Sequence, residues 1–303
     1  MIFGVILQSN INQKGYVMEL GKAFLDLDEK RVQSLLAQGE DKNHTQRNEM
    51  LFSCIWGTVG SNDAQRDNCM KLLLKYDANP NWWEPDSTWY YYPPLLECLK
   101  VKKFEQAQWL VNSKANVNER VDNDEPLFVF FSQRIDKGHD FVGSDAMKFL
   151  HKNGADINAT NNFHETALME ITGLHIYSLG YFSDTKWLIE PVEFLTSKGA
   201  KVNLQDKAGR VAMSRSLSQN WGAYYHPASD AEYLGFKNNF NMVFYYEIPK
   251  ILFLRGARAD IADKRGKTTM DIAKESEEKM DLFARAIDDS NKFLRRKIVV
   301  MSK

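Results

Sequence analysis

The amino-acid sequence predicts an all-α solenoid of about seven helix-pair units, joined by short finger loops and enlarged by insertions. A short phrase recurs along the chain, with clear copies at 153–158, 198–203 and 255–260 and weaker ones at 77–81 and 114–118. An apolar helical stretch comes before each copy, as at 147–152 and 192–197. A signal for the next helix then follows at 166–168, 211–213 and 268–270. Repetition of this kind is typical of stacked repeats.

Glycine marks the end of the helix in each clear copy of the phrase, at Gly154, Gly199 and Gly256. A residue just past a helix C-terminus commonly takes a left-handed conformation, which glycine adopts without steric cost. We therefore expect positive φ at all three glycines.

Asp and Gly in the loops at 206–209 and 263–266 predict tight turns, and a following Thr can cap the next helix. His164 stands where those loops have glycine. Since His tolerates a left-handed turn better than most side chains, a backbone role is expected for it.

These motifs resemble those of ankyrin-repeat proteins, and the resemblance extends over nearly the whole chain. The residues that carry it are Gly-Ala-Asp-Ile-Asn at 154–158 and the loop-to-helix segments 206–213 and 263–270. Equivalent alanines lie between 37 residues apart (Ala78 to Ala115) and 57 apart (Ala200 to Ala257). Both steps exceed the ankyrin period of about 33, so insertions are expected. The resemblance implies a protein-binding module whose fingers and first helices line a concave face, and a bacterial or phage source.

The units follow one another along a single continuous domain predicted for 1–303. Residues 1–45 form an N-terminal capping unit, 46–267 the central repeats with insertions near 82–93, 178–188 and 219–241, and 268–303 a polar C-terminal capping unit. The predicted helix pairs are 17–27 with 30–39, 50–56 with 69–74, 95–101 with 104–111, 127–134 with 145–151, 167–177 with 191–197, the two ends of 212–254, and two helices within 270–297.

Two insertions are rich in aromatic residues, which is unusual for loops because loops are mostly polar. The candidate partner-binding residues are Trp82, Trp83, Trp89, Tyr90, Tyr91 and Tyr92 in the first, and Trp221, Tyr224 and Tyr225 in the second. Trp and Tyr supply large apolar contact area with a hydrogen-bonding edge, as binding hot spots require. The alternative is that the rings fold back over the flanking helices and fill gaps in an irregular stack.

Composition favours a folded protein without a nucleic-acid partner, because 39 basic and 40 acidic residues leave a formal net charge of −1. Cys54, Cys69 and Cys98 match neither a zinc site nor a redox pair, so buried thiols in a reducing compartment are expected. The apolar stretch 1–7 is too short to span a membrane and lacks the marks of a signal peptide. We therefore expect a cytoplasmic monomer without membrane contact.

No catalytic or metal-binding motif stands out. The six histidines are scattered without metal-ligand spacing, and no nucleophile motif occurs. The sequence thus predicts a non-enzymatic protein-binding module without cofactor or metal. It acts either as an inhibitor or immunity-type antagonist of a toxin or defence enzyme, or as an effector or scaffold that recruits a host or cellular protein. A less favoured alternative is an enzyme with a site in the 219–241 insertion, around His226 and Asp230.

Overall fold

A computed structural model describes residues 19–39, 45–56, 63–83, 92–134, 142–173, 186–219 and 240–301. The chain divides into two compact units, Met1–Asp122 and Asn123–Lys303. Continuity of the whole chain as one domain stays a prediction.

The described part of the first unit contains three helix pairs. They are α1 (Glu19–Leu25) with α2 (Glu29–Ala37), α3 (Thr45–Trp56) with α4 (Asp63–Lys75), and α5 (Pro94–Lys100) with α6 (Phe104–Asn112). Helix α3 also packs on α5, while α4 packs on both α2 and α6. First helices therefore stack on first helices and second helices on second helices, as in a repeat array. Strand β1 (Arg120–Val121) follows α6.

The second unit repeats the same arrangement. After a 3-10 turn at Asp122–Asp124, its elements are β2 (Glu125–Pro126), α7 (Leu127–Ser132), α8 (Val142–Lys152), α9 (Ala167–Thr172), α10 (Lys186–Ser197), α11 (Ala212–Leu217), a π-helix (Met242–Glu247), α12 (Ile248–Leu254), α13 (Thr269–Ala273) and α14 (Glu277–Met301). The first helices α7, α9, α11 and α13 stack in that order, and the second helix α12 packs between α10 and α14.

First and second helices differ in how much of their surface is buried. Every residue of α7 is buried, which suits an apolar helix covered by neighbours on several sides. Helix α8 is amphipathic instead, since Met147 and Leu150 are fully buried while Asp145 is exposed. The core of the second unit thus lies between the two layers of helices.

The predicted helix ends are confirmed by the backbone. Gly154, Gly199 and Gly256 have φ of 90°, 95° and 83°. In the weaker copies of the phrase, Asp77 and Lys114 take the same left-handed conformation, with φ of 65° and 73°. The repeat therefore imposes this backbone conformation even where glycine is absent, at some cost in strain.

The Asn that ends the phrase has a role that sequence reasoning missed. The side-chain Oδ1 of Asn158 accepts a hydrogen bond from the Lys201 backbone N–H at 2.8 Å. In the same way, Asn203 accepts from the N–H of Arg258 at 2.9 Å. Each Asn thus ties its finger to the start of the next one.

Several helix boundaries differ from the prediction. The second helices placed at 69–74, 145–151 and 191–197 begin earlier, at Asp63, Val142 and Lys186. The first turns at 63–66 and 142–145 contain several polar or charged residues, so a search for apolar periodicity starts these two helices too late. The first turn of α10 is apolar at 187–189, and there the prediction wrongly began the helix at Pro191. Pro191 accordingly lies inside α10 rather than at its start. The first helix placed at 167–177 ends at Thr172, where the cap residue Gly173 donates its N–H to Met169.

The three cysteines are buried and free, as the sequence predicts. Burial raises the pKa of the Cys69 thiol to about 11 and holds that of Cys98 well above its usual range. Within the described ranges, no helix is long and apolar enough to cross a membrane.

Candidate binding surface

The aromatic loop of the first unit is only partly within the described residues. Trp82 and Trp83 are half-buried, and the Trp82 ring meets the buried Phe52 ring edge-on at 5.8 Å. The Tyr92 hydroxyl donates to the Asp122 carboxylate at 2.7 Å. Trp82 therefore packs on the helix stack while keeping part of its surface open. Both of the roles weighed for this loop stay compatible with its position.

The remaining predicted partner-binding residues lie outside the described residues. They are Trp89, Tyr90 and Tyr91 in the first insertion and Trp221, Tyr224 and Tyr225 in the second. His226 and Asp230, named for the enzymatic alternative, lie outside as well. Their part in binding or catalysis stays a prediction.

Three finger loops of the second unit share one turn construction. In each, a buried or half-buried Asn or Asp side chain accepts two backbone N–H groups from the turn that it begins. Asn161 accepts from Phe163 and Glu165 at 2.9 and 3.0 Å, Asp206 from Ala208 and Arg210 at 2.9 and 2.8 Å, and Asp263 from Arg265 and Lys267 at 2.9 and 2.9 Å. Such side-chain turns fix the shape of the loop.

Each of these turns also contains one left-handed residue. His164, Gly209 and Gly266 have φ of 59°, 82° and 78°. The backbone role expected for His164 is therefore confirmed. After the turn, the Thr166 hydroxyl caps α9 and the Thr268 hydroxyl caps α13.

Backbone hydrogen bonds join the tips of these fingers. The Lys207 N–H donates to the Phe163 carbonyl at 2.8 Å, and the Lys264 N–H donates to the Ala208 carbonyl at 3.0 Å. We call five of the exposed residues at these tips the finger-tip strip: Phe163, Lys207, Ala208, Lys264 and Arg265. Because neighbouring tips are bonded to each other, the strip is held in one geometry before any partner binds.

Phe163 is the most exposed large apolar residue of the described chain, with 65% of its surface accessible. It lies at one end of the strip, directly bonded through its carbonyl to the next finger. An exposed aromatic side chain on a rigid turn has the character of a binding anchor.

The acidic and basic side chains of these fingers differ in how exposed they are. The Asp206 side chain is 1% exposed, because its carboxylate is turned inward. Lys207, Lys264 and Arg265 are exposed, and none of them has a salt bridge within the described ranges. The strip is therefore basic although the chain as a whole is nearly neutral.

An ionic cluster lies behind the strip, between two neighbouring repeats. Arg215 of α11 bonds the Glu165 carboxylate and lies 3.4 Å from the Asp206 carboxylate. The guanidinium also covers Gly173, where an added Cβ would meet its Nε at 2.6 Å. This cluster connects the end of α9 to the next finger.

The pKa values of two neighbouring carboxyl groups, Glu165 and Glu170, shift in opposite directions. Burial raises the pKa of Glu170 to about 8, and the neighbouring Glu165 carboxyl adds to the rise. Burial would raise the pKa of Glu165 too, but hydrogen bonds from Glu170 and Asn161 together with Arg215 lower it to about 2. The pair therefore holds one proton near neutral pH.

No group of three or more His, Cys, Asp or Glu side chains within the described ranges is placed to hold a metal ion. The ionic cluster combines carboxylates with two arginines, Arg210 and Arg215. That composition suits a structural contact between repeats.

Comparisons with known proteins identify the fold. No family model and no curated protein matches the chain. Solved structures do match, among them a crystal structure of an ankyrin repeat domain from Acinetobacter baumannii AYE. It is 18% identical, covers 78% of this chain and 96% of its own, and superposes with a TM-score of 0.52. The chain therefore has an all-α ankyrin-repeat fold, as the sequence predicts.

Proposed function

We propose that this chain is a non-enzymatic module that binds a partner protein through its fingers, with Phe163 as an anchor. The observation that carries the proposal is the exposure of a large aromatic side chain on finger tips already bonded to one another. Pre-organised surfaces bind with less loss of conformational entropy than mobile loops do. The aromatic residues Trp82 and Trp83 of the first unit are proposed as a further contact area.

Within this proposal the chain acts as a monomer in a reducing compartment such as the cytoplasm, without nucleic acid, metal or membrane. Three buried, free cysteines support the reducing compartment, and the nearly balanced charge supports the lack of a nucleic-acid partner. Its role is that of an antagonist, for example of a toxin or defence enzyme, which it covers. Recruitment of a host or cellular protein is the alternative role.

The test of binding uses immobilised wild-type protein and two phenylalanine variants in a lysate of the source cells. Phe163→Ala should reduce capture of the partner by about tenfold or more, as aromatic hot spots do. Phe293→Ala is the matched control, because Phe293 is 56% exposed but lies on α14, away from the finger tips. Equal capture by all three proteins would refute the finger-based function.

The role is tested on the captured partner. Its enzymatic activity is measured while the chain is titrated. Loss of activity at one equivalent supports the antagonist role. Unchanged activity together with co-capture of a third protein supports recruitment instead.

A further inference from the structure

The finger-tip strip carries three exposed cations, Lys207, Lys264 and Arg265. We infer that the strip binds an acidic, extended segment of a partner protein that carries an apolar side chain for Phe163. The inference rests on the proposed protein-binding function and adds the chemistry of the partner.

The basic character of the strip follows from how the turns are built. The carboxylates of Asp206 and Asp263 accept hydrogen bonds from backbone N–H groups inside their own turns. The cations beside them have no such internal acceptor and are exposed at the tips. The Asp206 side chain is 1% exposed and Asp263 is half-buried, while the cations beside them are exposed.

Two nearby cations that already bond a carboxylate are not included in the strip. Arg210 bonds Asp206 through Nε at 2.8 Å, and Lys267 bonds Glu275. Lys207, Lys264 and Arg265 remain as the cations available to a partner. Their spacing is set by the bonds between tips, so a complementary row of carboxylates meets a fixed pattern.

A protein segment fits this surface better than a nucleic acid does. Three cations can neutralise about three phosphates, fewer than the roughly 6–10 of a protein with an extensive phosphate interface. An aromatic anchor beside a short cationic row instead suits an acidic peptide with one apolar residue.

The experiment measures fluorescence anisotropy of a labelled, glutamate-rich peptide with a central leucine, added to the full chain. Wild-type protein should bind it saturably, and binding should weaken as salt is raised from 50 to about 300 mM, because exposed charge pairs are screened. Reversing the strip with Lys207→Glu, Lys264→Glu and Arg265→Glu together should weaken binding about tenfold or more. Circular dichroism verifies that this variant remains folded.

A matched variant carries Lys152→Glu, Lys198→Glu and Arg255→Glu. These three residues are exposed at the ends of second helices and change the net charge by the same amount. Its affinity should stay within about twofold of wild type, since these three residues do not belong to the strip and exposed charges are partly screened by salt. Equal losses in both triple variants would overturn the inference, and so would the absence of saturable peptide binding.

Two further outcomes separate this inference from the proposed function. A single-stranded oligonucleotide that binds more tightly than the peptide would overturn the acidic-protein partner. A cellular partner whose capture needs Phe163 but survives strip reversal would keep the finger-based function and refute only the acidic segment. Loss of capture on strip reversal, but not in the matched variant, supports both.

Discussion

Gly209→Ala should destabilise the protein far more than Gly266→Ala, although the two glycines hold the same place in neighbouring fingers. Their φ values are 82° and 78°, so both substitutions force an alanine into the left-handed region. That strain is worth roughly 1 kcal/mol in each case.

The surroundings of the two glycines differ. A Cβ on Gly209 would lie 2.8 Å from the backbone N of Lys264 and 3.0 Å from the Asp263 Cα. A Cβ on Gly266 would meet nothing within 4 Å. Since backbone atoms cannot rotate away, the next finger must shift, and overpacking of this kind costs about 1–3 kcal/mol. The shift also strains the bond from Lys264 to the Ala208 carbonyl, worth about 1 kcal/mol.

We therefore expect a loss of about 3 kcal/mol or more for Gly209→Ala against about 1 kcal/mol for Gly266→Ala. Urea unfolding followed by circular dichroism measures both losses, and hydrogen exchange of the Lys264 amide reports the bond between the tips. Its protection should fall in Gly209→Ala only. Equal destabilisation, or an unchanged Lys264 amide, would show that the close approach of the two fingers is not what requires glycine.

Three further predictions concern other parts of the chain. Gly199→Val should lower the unfolding free energy by about 1 kcal/mol or more, and Lys114→Gly should raise it by about 0.5–1 kcal/mol, both in urea titrations. The pKa of Glu170 is about 8 in the folded protein, against its usual 4.5. Its stabilising contribution is therefore complete below pH 4.5 and is lost as the pH rises through 8. The melting temperature of Glu170→Gln should consequently vary less between these pH values than that of wild type. Trp82→Ala should lower the unfolding free energy by about 2 kcal/mol through loss of its ring contact. Trp83→Ala should leave the unfolding free energy nearly unchanged and weaken partner capture. A larger loss of stability for Trp83→Ala than for Trp82→Ala would exclude Trp83 as the contact residue.

The helix ends could be predicted from sequence because they depend on local chemistry. A glycine that follows an apolar helical stretch commonly ends the helix in a left-handed conformation. The positive φ of Gly154, Gly199 and Gly256 could therefore be predicted. Helix starts were harder. The first turn of α8 begins at Val142, where the sequence has no cap and no apolar period to mark it.

The finger-tip strip was not predicted, for a physical reason. A cluster of aromatic residues is visible in a sequence, while Phe163 is a single aromatic residue whose exposure depends on the turn that carries it. The signal that could have found it was present: Asn161 and Asp206 occupy equivalent positions in their turns, so residue 163 had to lie at a tip. Direct bonds between the tips depend on how the repeats stack, which one sequence does not reveal.

The turn construction links the stability of the fingers to the charge of the binding surface. Asp206 caps its own turn, which stabilises the finger, and its carboxylate is buried at the same time. Lys207, Lys264 and Arg265 in these loops are exposed and form no salt bridge among the described residues, whereas Arg210 bonds Asp206. At the tip that follows Asp206 the exposed charge is therefore that of Lys207. The equivalent turn of the third finger begins with the uncharged Asn161, and the residue at its tip is Phe163. The apolar anchor therefore lies at one end of the row of cations.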